Sequence, residues 1–135
     1  MQVRQIIGLD VGINKTGLAR ASTAARLAEP LKTVATAEIL KNLEEIIGSE
    51  DIAAIVVGLP RGLDGQETDQ TRWVRDWRGK AKDALPGIRF YWQDEALTSK
   101  LASSQNAKNV TEDALAASII LQDFLDSNEE AKKLT

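Results

Sequence analysis

The 135-residue chain has no cysteine and no histidine. The first absence removes disulfide frameworks, thiolate zinc sites, iron–sulfur clusters and cysteine nucleophiles. The second removes Ser-His-Asp and Cys-His catalysis and imidazole metal ligation. A metal bound by such a chain sits among oxygen ligands, which points to Mg²⁺, Mn²⁺ or Ca²⁺. Long apolar runs are absent as well, none approaching the ~20 residues that cross a bilayer. The opening Met1-Gln2-Val3-Arg4-Gln5-Ile6-Ile7 has no signal-peptide cleavage pattern. The expected protein is soluble and cytoplasmic, with no membrane partner.

What the chain does contain is ordinary for a globular domain: 43% apolar residues and 17 basic against 20 acidic side chains, a net charge of −3. That mild acidity argues against a broadly basic nucleic-acid-coating protein but leaves room for a local basic surface. At this length one domain is expected, here residues 1–126, followed by a polar, frayed tail at 127–135.

Residues 5–10 read as a buried strand that turns at Gly12, and residues 16–21 as its hairpin partner. Residues 31–36 alternate weakly and suggest a third strand. Residues 37–47 carry Ile39, Leu40, Leu43, Ile46 and Ile47 at helical spacing, with Gly48 where a C-terminal cap belongs. Residues 52–58 are almost wholly apolar and fit a central strand covered on both faces. After a turn-rich loop at 59–65, residues 68–85 read as a helix broken by Pro86-Gly87. A last strand at 88–92 runs into Gln93-Asp94-Glu95, a short helix follows at 97–104, and a strong final helix spans 111–125. This order predicts an α/β fold, a five-stranded mixed sheet with helices on both faces. It is the order expected of a ribonuclease-H-like domain.

Three carboxylates have unusual settings. Asp10 ends an apolar strand, although an Asp in Asp10-Val11-Gly12 also serves as a turn initiator. Glu95 follows the last strand, where charged residues are common. Asp113 lies in the first turn of the final helix, where it complements the helix dipole with Thr111 or Asn109 as cap. It also shares a helical face with Ala116, Ala117 and Ile120. A carboxylate directed at a packed sheet costs several kcal/mol unless it is paired or binds a cation. In open α/β sheets, ligands gather beyond the carboxyl ends of the strands. If the first and fourth strands are parallel neighbours, Asp10, the 58–60 segment and Glu95 share that edge, and the final helix can bring Asp113 to it. Clustered oxygen ligands suit Mg²⁺ or Mn²⁺, two of which ~3.5–4 Å apart activate water for phosphodiester hydrolysis.

Residues 72–82 carry five basic side chains and one acid. Arg75, Arg78 and Lys82 fall on one helical face, with Trp73, Trp77 and Ala81 on the opposite stripe. The tryptophans read as core. The basic face reads either as solvated surface or as a contact for backbone phosphates. Lys15 and Arg61 are loop cations near the acidic edge and would neutralise a phosphate there.

Four motifs resemble one family. Ile7-Gly8-Leu9-Asp10-Val11-Gly12-Ile13-Asn14-Lys15-Thr16-Gly17-Leu18-Ala19 is similar to the opening motif of the YqgF family, the Holliday-junction-resolvase-like pre-16S ribosomal RNA nucleases. Val56-Val57-Gly58-Leu59-Pro60 with Asp64-Gly65 resembles its second motif, and Asp94-Glu95-Ala96-Leu97-Thr98-Ser99 its third. Val110-Thr111-Glu112-Asp113-Ala114-Leu115-Ala116-Ala117 with Ile120-Leu121-Gln122 resembles the last. The resemblance implies a ribonuclease-H-like, metal-dependent endonuclease using Mg²⁺ or Mn²⁺. Its acidic triad falls on Asp10, Glu95 and Asp113, and its implied role is 5′-end trimming of precursor 16S ribosomal RNA. A fourth carboxylate would come from Asp64, Asp94 or Glu112. Two departures from the family pattern are Ala96, where an arginine usually follows the glutamate, and a short segment at 101–109. The expected partner is structured RNA, with the chain a monomer or weak homodimer. The alternatives are a junction resolvase on branched DNA and a non-catalytic binding module of the same fold.

Overall fold

The computed structural model describes residues 3–62, 64–95 and 111–135. Strands β1 (Gln5–Val11) and β2 (Lys15–Ser22) form an antiparallel hairpin, closed where the Gly12 N–H donates to the Lys15 carbonyl at 2.9 Å. Strand β3 (Glu29–Ala35) pairs antiparallel with β2 and runs through a 3₁₀ turn (Thr36–Glu38) into helix α1 (Ile39–Ser49). Strand β4 (Ile52–Pro60) lies parallel to β1, and helix α2 (Asp69–Ala84) leads to β5 (Phe90–Glu95), parallel to β4. Helix α3 (Glu112–Ser127) and a 3₁₀ turn (Glu129–Lys133) complete the described chain. The sheet order is β3-β2-β1-β4-β5, a mixed five-stranded sheet as expected.

Strand alternation sorts the core into two layers. Ile7, Leu9, Val11, Leu18, Ile55 and Val57 pack with Ile39 and Leu43 of α1 and with Val74, Trp77 and Ala81 of α2. Ile6, Ala19, Ala21, Ala54 and Val56 pack on the other side with Ala117, Ile120, Leu121 and Phe124 of α3. β4 sits between the two layers, which is why eight of its nine residues are buried and its sequence shows no polar alternation. Trp77 is buried and Trp73 half-buried, so the tryptophan stripe is core.

The sheet side facing α3 carries glycine at three positions, Gly8, Gly17 and Gly58, and this lets α3 sit close. A Cβ on Gly8 would lie 2.7 Å from Leu121 Cβ. A Cβ on Gly58 would land on the Ile120 side chain, and one on Gly17 would land on the Asp113 carbonyl. At these positions glycine is required by close approach, whatever its backbone freedom.

Several expectations shift. The third strand spans Glu29–Ala35, and Thr36 opens the following 3₁₀ turn. Gly48 lies inside α1, and the helix ends at Glu50, whose N–H bonds the Ile46 carbonyl at 2.8 Å. An extended Glu50 satisfies the terminal carbonyl, so no left-handed glycine is needed. β5 begins at Phe90 and includes Glu95. The tail at 127–135 is not frayed: Ala131 and Leu134 enter the α3 layer, Leu134 at 4% exposure. Arg26, in a left-handed conformation at φ 56°, donates to the Ala131 carbonyl at 2.9 Å and also to the Leu134 carbonyl. Two apolar residues in an otherwise charged segment suffice to seat it once a basket of carbonyls meets a guanidinium. The helix expected at 97–104, Ala96 and the short 101–109 segment lie outside the described residues. Among the described residues, no helix is long and apolar enough to cross a membrane.

Candidate active site

The carboxyl ends of β1 and β4 open into a cleft of about 120 Å³ lined by Asp10, Val11, Gly12, Lys15, Pro60, Gln70 and Asp113. Asp10 and Asp113, a hundred residues apart in the chain, therefore meet at one site. The register shows how. Asp10 pairs across the hairpin with Gly17, and the Asp113 carbonyl rests on Gly17. The bare Gly17 backbone lets the first turn of α3 drop onto the sheet beside Asp10. Thr111 caps α3 by accepting from the Ala114 N–H at 3.2 Å, and its hydroxyl bonds Thr33 of β3. The Asp113 turn is thus tied to both hairpin and outer strand. Asp113 is half-buried at the cleft and not sealed in the apolar layer, so the desolvation cost expected for a carboxylate facing a packed sheet is largely avoided.

The hairpin that carries Lys15 is braced from below. Buried Thr16 shares a 2.8 Å hydroxyl–hydroxyl bond with Thr36, which donates to the Gly12 carbonyl at 2.7 Å. The Thr36 N–H also donates to the Asn14 carbonyl at 2.9 Å. These bonds hold the turn so that exposed Lys15 lies at the cleft mouth. On the other wall, the buried Thr71 hydroxyl donates to the Pro60 carbonyl at 2.5 Å and completes a capping box with Thr68. The first turn of α2 is thereby fixed to the end of β4, and Gln70 enters the cleft. Sequence reasoning passed over Gln70. Its signal was the Thr68-x-x-Thr71 capping pattern beside a strand-ending proline.

Glu95 does not join Asp10 and Asp113 in the cleft lining. It is buried, at 9% exposure, and pairs with Pro60 at the end of β5. β4 lies between its strand and β1, and two strand spacings amount to about 10 Å. Among the described residues, no group of three acidic side chains is arranged to hold a metal. The three expected carboxylates are thus placed as Asp10 and Asp113 at one cleft and Glu95 outside it, two strand spacings from β1. A pair still fits a hard cation, since Mg²⁺ is commonly held by one or two carboxylates and completes its shell with water and phosphate oxygens. Of the fourth-carboxylate candidates, Asp64 accepts from Gln66 at 2.8 Å and Asp94 pairs with Arg61 at 3.3 Å, while Glu112 is exposed. None of them lines the cleft.

The basic residues divide. Lys15 is at the cleft and Lys82 is exposed near the far end of α2, about 18 Å from Gln70 by helical rise. Arg61, Arg75 and Arg78 are engaged within the protein. Arg61 pairs with Asp94 and, at 3.6 Å, with Glu67; Arg75 bonds Glu67 at 2.9 Å. The Arg75 hydrogen bond is the main reason the exposed Glu67 carboxyl titrates below its ordinary range. Arg78 stacks over Trp92, 4.2 Å from the ring centroid, and donates to the Phe90 carbonyl at 3.1 Å. Burial, then the neighbouring Arg75 charge, lowers the pKa of Arg78. Two members of the face opposite the tryptophans, Arg75 and Arg78, thus lie over a third tryptophan on β5, while Lys82 stays exposed.

This sheet order, with a hairpin leading into parallel strands and acids at their carboxyl ends, defines a ribonuclease-H-like α/β fold. The solved RuvC of Thermus thermophilus in complex with a Holliday junction substrate superposes at a TM-score of 0.55, with 15% identity, over 95% of this chain and 97% of that one. A second Thermus thermophilus RuvC structure superposes at 0.53 with 17% identity, over 90% and 95%. The particular family follows from sequence: the chain belongs to the RuvX family, described as Holliday junction resolvase, which matches residues 4–127. It is 35% identical to a protein of Orientia tsutsugamushi named "Putative pre-16S rRNA nuclease", over 96% of this chain and 88% of that one. It is 32% identical to one of the same name from Fusobacterium nucleatum, over 92% and 98%.

Proposed function

We propose that this protein is a divalent-metal-dependent endonuclease that hydrolyses phosphodiester bonds of structured RNA, acting in 5′-end maturation of precursor 16S ribosomal RNA in the cytoplasm. The observation that carries the reading is the convergence of Asp10 and Asp113 on one cleft beside Lys15. The names borne by its relatives supply the substrate class. Asp10 and Asp113 would hold Mg²⁺ or Mn²⁺, and Glu95 would join them as a third donor only by moving from its buried position at the end of β5. Such an ion supplies charge neutralisation and activation of water at the scissile phosphate. Lys15, at the mouth, offsets the charge of the incoming phosphodiester, and Gly12 lets the hairpin that carries it close, since a Cβ there would lie 2.7 Å from the Lys15 carbonyl. Lys82 offers a more distant contact for backbone phosphate, whereas Arg61, Arg75 and Arg78 would first have to leave their partners.

The test is cleavage of precursor 16S RNA in Mg²⁺ or Mn²⁺ by the wild type and by Asp10→Asn, with circular dichroism to show that the variant is folded. Cleavage that survives the substitution overturns the mechanism. The family's description favours a second reading, resolution of branched DNA. Symmetrical cutting of two strands requires a dimer, so a monomer under assay conditions that cuts RNA counts against it.

A further inference from the structure

From the chemistry of the cleft wall, and resting on the nuclease reading above, we infer that Gln70 is a substrate-positioning residue that recognises the ribose 2′-hydroxyl and so makes the site prefer RNA to DNA. Four ionisable or amide side chains face the cleft or its mouth: Asp10, Asp113, Lys15 and Gln70. The ionised carboxylates only accept hydrogen bonds, and Lys15 only donates, as a mobile point charge on a long stem. A phosphate oxygen asks only for donors or cations, which Lys15 supplies. A 2′-hydroxyl both donates and accepts, and it is the group by which a protein tells RNA from DNA. The Gln70 amide is the neutral side chain of the lining that offers both a donor and an acceptor.

Its placement is rigid enough for such recognition. Gln70 lies in the first turn of α2, between Asp69 and a buried Thr71 that is bonded to Pro60. Thr68 and Thr71 spend their hydroxyls on each other and on the backbone. Among the described residues, by contrast, the Gln70 amide makes no hydrogen bond. A half-buried amide held on a fixed helical turn, at the rim of a cleft with two carboxylates, meets the sugar next to a phosphate bound there.

The experiment is a binding and cleavage cycle. A stem–loop RNA and the same stem–loop with 2′-deoxyribose throughout its loop are titrated against the wild type and Gln70→Ala by fluorescence anisotropy. The two substrates are also compared in a cleavage assay, with Gln70→Asn as the conservative variant. The inference expects the wild type to bind the ribose form about tenfold more tightly, as one hydrogen bond to a polar partner allows. It expects Gln70→Ala to lose that ratio while binding the deoxy form as the wild type does, and Gln70→Asn to restore part of it. Equal weakening on both stem–loops, an unchanged ratio, or no binding of either overturns it. A lost ratio in binding without any cleavage leaves the inference standing and removes the nuclease reading. Cleavage with an unchanged ratio does the reverse.

Discussion

Two charged regions flank the end of β4, and they are built on opposite rules. On the α2–β5 side, Arg61, Glu67, Arg75 and Asp94 alternate in sign and pair within 2.9 to 3.6 Å, and Arg78 covers Trp92. Each charge there has a partner that the folded chain provides. On the β1–α3 side, the fold brings two groups of the same sign, Asp10 and Asp113, into one cleft. Like charges brought together oppose folding, and Lys15 at the same cleft offsets part of that cost. The first region is held by pairs within the fold and the second is the candidate site, although the primary structure advertised the arginine-rich stretch more loudly.

Substitutions can break this contrast. The largest effect is expected for Asp10→Asn and Asp113→Asn, each lowering the cleavage rate by about 10²–10³-fold, on the scale of removing one preorganised electrostatic group, with little change in thermal stability. Glu95→Gln, one strand away, should cost less than either; an equal or larger loss would place Glu95 with the pair during turnover. Gly17→Ala should both destabilise the fold by about 1–3 kcal/mol, as overpacking does, and impair cleavage, because it lifts the Asp113 turn off the sheet. Its control is Gly48→Ala, where the added methyl meets nothing within 4 Å inside α1. That change should stabilise by about 0.5–1 kcal/mol and leave cleavage alone, both read by thermal denaturation and a rate assay.

On the paired side the effects are smaller. Arg78→Ala should cost about 1 kcal/mol of stability through the lost ring stacking and carbonyl bond, with no change in the salt dependence of RNA binding. A reduced salt slope would instead show Arg78 contacting phosphate. The smallest effect concerns pH. The folded-state pKa of Glu67 is depressed below its ordinary 4.5, chiefly by the Arg75 hydrogen bond. Its stabilising contribution is therefore full above about pH 4.5 and is lost as pH falls through the lowered value. Acid titration of stability should show a slightly shallower loss in Glu67→Gln than in the wild type, and its exposure keeps the difference small.

Much of the architecture was legible beforehand. The apolar run in β4, the glycine-turned hairpin and the helical spacing of α2 each reflect one local rule, and each element forms within a few residues of its expected limits. Asp10, Glu95 and Asp113 were readable as one acidic set because two stood at strand ends and the third on an apolar helix face; of these, Asp10 and Asp113 line the cleft. Three things were less legible. The tail's anchoring depends on Arg26, more than a hundred residues away. The arginines' orientation depends on where Trp92 emerges from β5. Gln70 carried no charge, and its one signal was the capping pattern around it.

Periodicity, glycine placement and the absence of histidine and cysteine are properties of the linear chain, and they were enough to define the strands, the helices and an oxygen-only ligand chemistry. Which acids share a cleft was settled by strand order and register, because β4 intervenes before Glu95 while bare Gly17 admits the Asp113 turn. Those are lateral distances between distant segments, and no local pattern encodes them.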